Sequence, residues 1–82
     1  MLKIQRFASG ESVIFALSGR IEIGNIAQLE ALITTDLKRA VLDLKEVNLV
    51  SREVVRFLAQ CEHDGIKIQN CPAYIREWMA RE

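Results

Sequence analysis

Three side chains with soft or borderline donor atoms, Cys61, His63 and Cys71, fall within eleven residues of one another. A structural zinc ion takes four such ligands, and this Cys-x-His spacing with one further Cys matches no common zinc knuckle. No metal and no cofactor are therefore expected. Two cysteines are also too few for a disulfide framework. His63 is the only histidine, so any nucleophile relay would have to be built around it. It stands between Glu62 and Asp64 near the end of a helical pattern, where it reads as a solvated residue of the last turn. Glu22 and Asp43 could meet as a carboxylate pair. With no base, metal or nucleophile beside them, they read as a loop acid and a strand-end acid that accept backbone N–H groups, and no enzyme is expected. The remaining cluster is Ser51-Arg52-Glu53 with Arg56. Ser51 suits a helix N-cap and Glu53 complements the positive end of the helix dipole, which leaves Arg52 and Arg56 as solvated charges. The same exposed helix start, with apolar Leu49 and Val50 just before it, is also suited to docking another protein.

The elements that must position these residues follow from hydrophobic periodicity. Leu2 to Phe7 forms a first strand, and Ser9-Gly10 marks a turn. Val13 to Ser18 is apolar on both faces, as in a strand at the middle of a sheet. After Gly19 the period lengthens. Asn25 with Gln28 fits an N-cap and its capping-box partner, and Ile26, Leu29, Leu32 and Ile33 then share one face of a helix over 26–36. Ala40 to Leu44 is a second buried strand. From Ser51, the stripe Val54, Val55, Leu58 and Cys61, with Phe57 at its edge, predicts a second helix that Gly65 closes. Ile66 to Asn70 is the last strand. Pro72 then opens a final helix that buries Tyr74, Ile75, Trp78 and Met79.

The order β-β-α-β-α-β-α implies a small α/β domain: a mixed four-stranded sheet with parallel βαβ crossovers and one antiparallel strand from the initial hairpin. A single domain over residues 1–82 accounts for the whole pattern. Ligands in such sheets bind at loops after the C-terminal strand ends, here Gly19 to Asn25, Asp43 to Arg52 and Asn70 to Pro72. None of these loops carries a glycine-rich phosphate cradle.

Eleven Lys and Arg balance eleven Asp and Glu. Residues 1–41 carry five basic and four acidic groups, and residues 42–82 carry six and seven. Neither half has the excess of cations by which a non-specific nucleic-acid binder displaces counterions. The longest uncharged runs, Ser12 to Gly19 and Ile68 to Ile75, are eight residues each, far below the ~20 that a membrane-spanning helix needs. Lys3 and Arg6 interrupt any signal-peptide core. A cytoplasmic protein that neither enters a membrane nor binds nucleic acid is expected.

Three segments carry a family resemblance: Ala16-Leu17-Ser18-Gly19-Arg20-Ile21-Glu22, Val41-Leu42-Asp43-Leu44-Lys45-Glu46-Val47, and Gly65-Ile66-Lys67-Ile68-Gln69-Asn70-Cys71-Pro72. Together with the order of elements they resemble the STAS domain, typified by bacterial anti-sigma factor antagonists, over nearly the whole chain. The resemblance implies a protein-binding regulator of transcription signalling. Its partner in that case is an anti-sigma factor that is also a serine kinase, and it phosphorylates a serine at the start of the second helix. The family pattern there is Asp-Ser-Ser/Thr-Gly-Leu. Anchored on Val55 and Leu58, it places Ser51 on the Asp, Arg52 on the acceptor serine, Glu53 on the second Ser/Thr and Val54 on the Gly. Arginine cannot accept phosphate, so the resemblance implies a regulator without the switch, unless Ser51 is modified in its place.

By the same resemblance the partner-binding positions are Glu22, Gly24, Asn25, Asp43, Ser51, Arg52, Glu53 and Arg56. Arg52 inverts the local charge, which favours an acidic patch on the partner. Other readings remain open at this point. One is a STAS accessory subunit of an ABC lipid-transport-type assembly, and another is a nucleotide or small ligand at the loop N-termini. The chain is also shorter than the family's usual domain, lacking the final strand and terminal helix. That implies a sheet edge free for a partner and, through Trp78 and Met79, a homodimer contact.

Overall fold

The computed structural model describes residues 1–35 and 39–82. β1 (Leu2–Ser9) and β2 (Ser12–Ile21) form the expected antiparallel hairpin, with Leu2 opposite Gly19 and Ser9 opposite Ser12. β3 (Ala40–Val50) and β4 (Lys67–Gln69) follow in parallel, so the sheet order is β1-β2-β3-β4. α1 (Ile26–Thr35) connects β2 to β3, and α2 (Arg52–His63) connects β3 to β4. Both crossovers step the same way across the sheet. Right-handed connections in one direction place both helices on one face, and α3 (Ala73–Arg81) joins them there.

The core lies between that layer and the inward side chains of the sheet. Val13, Phe15 and Leu17 from β2, Leu42 and Leu44 from β3 and Ile68 from β4 pack with Leu29, Ile33, Val54, Val55, Leu58, Cys61 and Ile75 from the helices. The stripe read on the second helix is buried throughout, with Phe57 half-buried at its edge. Gly65 ends α2 at φ +98°. Its N–H donates to the Glu62 carbonyl and that of Ile66 to the Cys61 carbonyl, a Schellman closure that requires a left-handed residue. Gly19 also has positive φ, and a Cβ there would overlap the Met1 carbonyl oxygen.

Several expectations change. β3 runs to Val50 instead of ending at Leu44, so most of the predicted Asp43 to Arg52 loop is strand. The first helix is preceded by a single 3-10 turn, Ile23–Asn25, capped by Glu22. Asn25 Oδ1 accepts the Glu22 backbone N–H at 2.9 Å, so Asn25 closes this turn back onto Glu22 and is not the N-cap paired with Gln28. The predicted end of the first helix at Asp36 lies outside the described residues. Pro72 is the N-cap of α3, one residue before its first turn. Tyr74 is exposed, Trp78 is half-buried against the core and Met79 is buried. Met79 therefore fills the core and is closed to a second copy.

Candidate functional site

The C-terminal ends of β2 and β3 lie side by side, with Ile21 opposite Val50. The residues that follow them, Glu22 in one chain segment and Ser51 in the other, are therefore brought to the same edge of the molecule. Between them lies a shallow hollow of about 350 Å³ lined by Arg20, Ile21, Glu22, Ile23, Leu49, Val50 and Ser51. Its lining combines apolar Ile21, Ile23, Leu49 and Val50 with charged Arg20 and Glu22. Arg20 Nη1 lies 3.4 Å from Glu22 Oε1 on one side, while α2 begins with Arg52 and Glu53 on the other. Ile23 is 61% exposed and Leu49 48% exposed.

Leu49 reaches this position through irregularities in β3. Between Ala16 and Ser18 of β2, β3 advances from Asp43 to Glu46, and between Gly19 and Arg20 it advances from Val47 to Leu49. Each step inserts one extra residue, and a bulge of this kind re-aims the side chains that follow. Val47 and Val50 stay in the core while Leu49 is turned out to solvent.

Ser51 is the N-cap of α2. Its Oγ accepts the Val54 N–H at 3.4 Å, and its carbonyl accepts the Val55 N–H at 3.0 Å. The hydroxyl is thus turned toward the backbone, as a capping serine requires. Arg52 and Arg56 stand one turn apart on α2, and each has an acidic partner. Arg56 Nε donates to Glu82 Oε1 at 2.8 Å, and Arg52 Nε lies 3.6 Å from the same oxygen. The reading of both as merely solvated is corrected by that contact. The Arg56 hydrogen bond, with Arg52 adding to it, holds the Glu82 carboxyl below the usual carboxylate range.

Of the eight predicted positions, Glu22 and Ser51 line the hollow; Gly24 and Asn25 follow Glu22 in the 3-10 turn, and Arg52, Glu53 and Arg56 follow Ser51 along α2. Asp43 does not join them. It stands opposite Ala16, far along β2 from Ile21, so no Glu22–Asp43 pair forms. Asp43 faces the end of β4 instead. Its carboxylate accepts the Lys45 N–H at 3.0 Å, the Asn70 amide at 3.3 Å and the Gln69 amide at 3.4 Å. Partial burial opposes its ionisation, but these hydrogen bonds outweigh that effect and leave its pKa below the ordinary 3.8. Because the folded value is the lower one, the stabilisation is present above the unfolded pKa and fades as pH falls through the folded pKa. Wild type should therefore exceed Asp43→Ala in urea midpoint at neutral pH, and the gap should narrow as pH falls below 3.8. A gap that is constant with pH would remove the charge from this account.

Ile23 is the residue of the hollow that sequence reasoning did not select. Leu49 was visible only as an apolar residue beside the cap, and an outward-turned apolar residue differs from a core one only in register. The two cysteines stay apart from this surface. Burial pushes the Cys61 thiol up to about 11, with Asp64 and Glu30 adding to it, so it is a core side chain of low reactivity. Among the described residues no three His, Cys, Asp or Glu side chains converge as a metal site, and no helix is long and apolar enough to cross a membrane.

No protein-family model matches the chain, and comparison with curated proteins gives no match. Solved structures do match. The anti-sigma factor antagonist SpoIIAA in its unphosphorylated form superposes with a TM-score of 0.68 at 13% identity, over 96% of this chain and 79% of that one. An uncharacterised protein of the DUF3478 family with a SpoIIAA-like fold, from Shewanella loihica PV-4, gives 0.60 at 16% identity, over 98% and 74%. A structure described as Mglu gives 0.59 at 21% identity over 84% of this chain, which spans only 19% of that protein. The chain has a STAS-like fold: α/β, with a mixed four-stranded sheet and three helices.

Proposed function

We propose that this chain is a non-enzymatic, protein-binding regulator similar to anti-sigma factor antagonists, which docks through the start of α2 and the loop after β2. The observation that carries this reading is the hollow itself. Ile23 and Leu49 are open to solvent in its lining, together with the Arg20–Glu22 pair and with Ser51, from which the charged first turn of α2 begins. Protein interfaces ordinarily combine apolar side chains, which contribute affinity, with charged ones, which select the partner.

The reading includes the absence of the serine switch. Arg52 occupies the position that corresponds to the phosphoacceptor, and the Ser51 hydroxyl is engaged in capping. A regulator of this kind would be controlled by its concentration or by competition for its surface. An anti-sigma factor of the serine-kinase type is the first partner to try.

Affinity capture with tagged wild type and with Arg52→Glu tests the surface. Glutamate in the first turn of α2 suits the helix dipole, so the fold should be retained. A partner recovered by wild type should fall by roughly tenfold with the variant, as reversal of a well-placed rim charge commonly gives. Equal recovery by both would rule out the α2 start as the interface. Phosphate on Ser51 in protein recovered with the partner would overturn the loss of the switch.

A further inference from the structure

We infer that Arg52 and Arg56 form a recognition site for a carboxylate on the protein partner, and that Glu82 fills this site in cis until the partner's acidic side chain displaces it. The inference rests on the docking surface proposed above.

The two arginines lie at i and i+4 on α2, and both direct Nε at one oxygen of Glu82. Each guanidinium has five N–H donors, so one carboxylate oxygen uses only a fraction of what the pair offers. Planar guanidinium donors match carboxylates, and the chain's own acid already demonstrates the fit. A role for Glu82 simply as a staple between α3 and α2 is less economical, since Arg76 and Glu62 already join these helices. Arg76 Nη1 donates to both Glu62 oxygens, at 2.7 and 2.8 Å. Arg52 directly follows Ser51, which lines the hollow. A partner seated on Ile23 and Leu49 would therefore have an acidic side chain within reach of the arginines.

Exchange of one carboxylate for another makes and breaks the same kind of bond. The Glu82 side chain is only 15% exposed, but both arginines are more than half exposed, and an ion pair whose cations face solvent is screened enough to open. Such a pair lowers the apparent affinity for a competing acid by the reciprocal of the fraction of time that it is open, about two- to fivefold.

The probe is a fluorescent hexaglutamate peptide, followed by anisotropy at low ionic strength, where such contacts are least screened. Glu82→Gln should bind it about two- to fivefold more tightly than wild type. Adding Arg52→Gln and Arg56→Gln to that variant should abolish the gain. In wild type, the peptide should shift the side-chain Nε–Hε resonances of Arg52 and Arg56 and leave that of Arg76 in place, a readout independent of how the variants fold. Equal affinity for wild type and Glu82→Gln, a gain that survives loss of both arginines, or unmoved arginine resonances would each overturn the cis occupancy. The docking surface itself would still stand or fall by partner capture with Arg52→Glu.

Discussion

Replacing Leu58 with alanine should cost about 2–5 kcal/mol of stability, enough to lower the melting temperature by at least ~8 °C and up to ~40 °C in a domain of this size. Leu58 has no exposed surface and sits at the middle of the α2 stripe, between Val54 and Val55 on one turn and Cys61 on the next. Its loss removes apolar surface from water's exclusion and leaves a cavity that the neighbouring β-branched side chains, stiff at χ1, relax into poorly. Against the ~4–12 kcal/mol available to a domain of about eighty residues, that is a large share. Tyr74→Ala is the matched control. Tyr74 is on α3 and 47% exposed, so its truncation should shift the melting temperature by only a few degrees. Thermal melts by circular dichroism compare the two. Similar shifts for both would mean that α2 does not dock on the sheet as described.

Most of this fold was legible because its core elements obey simple periods. β2 and the beginning of β3 are short apolar runs, and α2 has an uninterrupted stripe bounded by a serine cap and a glycine closure. The later half of β3 was not legible. Lys45, Glu46, Asn48 and Leu49 are exposed while Val47 and Val50 are buried, a spacing of three that breaks strand alternation and is shared with neighbours on a helical face. It becomes intelligible only once two extra residues are placed opposite β2. The site was partly legible for a similar reason. Ser51 and Glu53 act locally, through the helix that they begin, and local roles can be read from neighbours in sequence. Arg52 and Arg56 meet Glu82, some thirty positions away, and Asp43 meets the end of β4. No local pattern encodes such meetings, so these charges looked solvated, or paired with the wrong acid, until the fold brought their partners to them.

The bulges that hid β3 also turn Leu49 out into the proposed docking surface, and this leads to the second large effect. Changing Ile23 and Leu49 together to glutamine should weaken partner binding by roughly thirtyfold while leaving the melting temperature within a few degrees of wild type. Full burial of an Ile or Leu side chain is worth about 1.5–3 kcal/mol, and about half of each is free to be buried by a partner. Together the two therefore stand to contribute about 2 kcal/mol, which is near thirtyfold in Kd. The folded chain gains little from them. Neither belongs to the core, and glutamine in a half-exposed strand position is tolerated where the cross-strand neighbour, Arg20, is itself polar. That combination separates a binding residue from a structural one. Calorimetric titration with the captured partner, beside a melt of the free variant, reads both quantities. A variant that binds like wild type would remove the hollow from the interface. One that melts far below wild type would show instead that Ile23 and Leu49 are part of what holds the ends of β2 and β3 together.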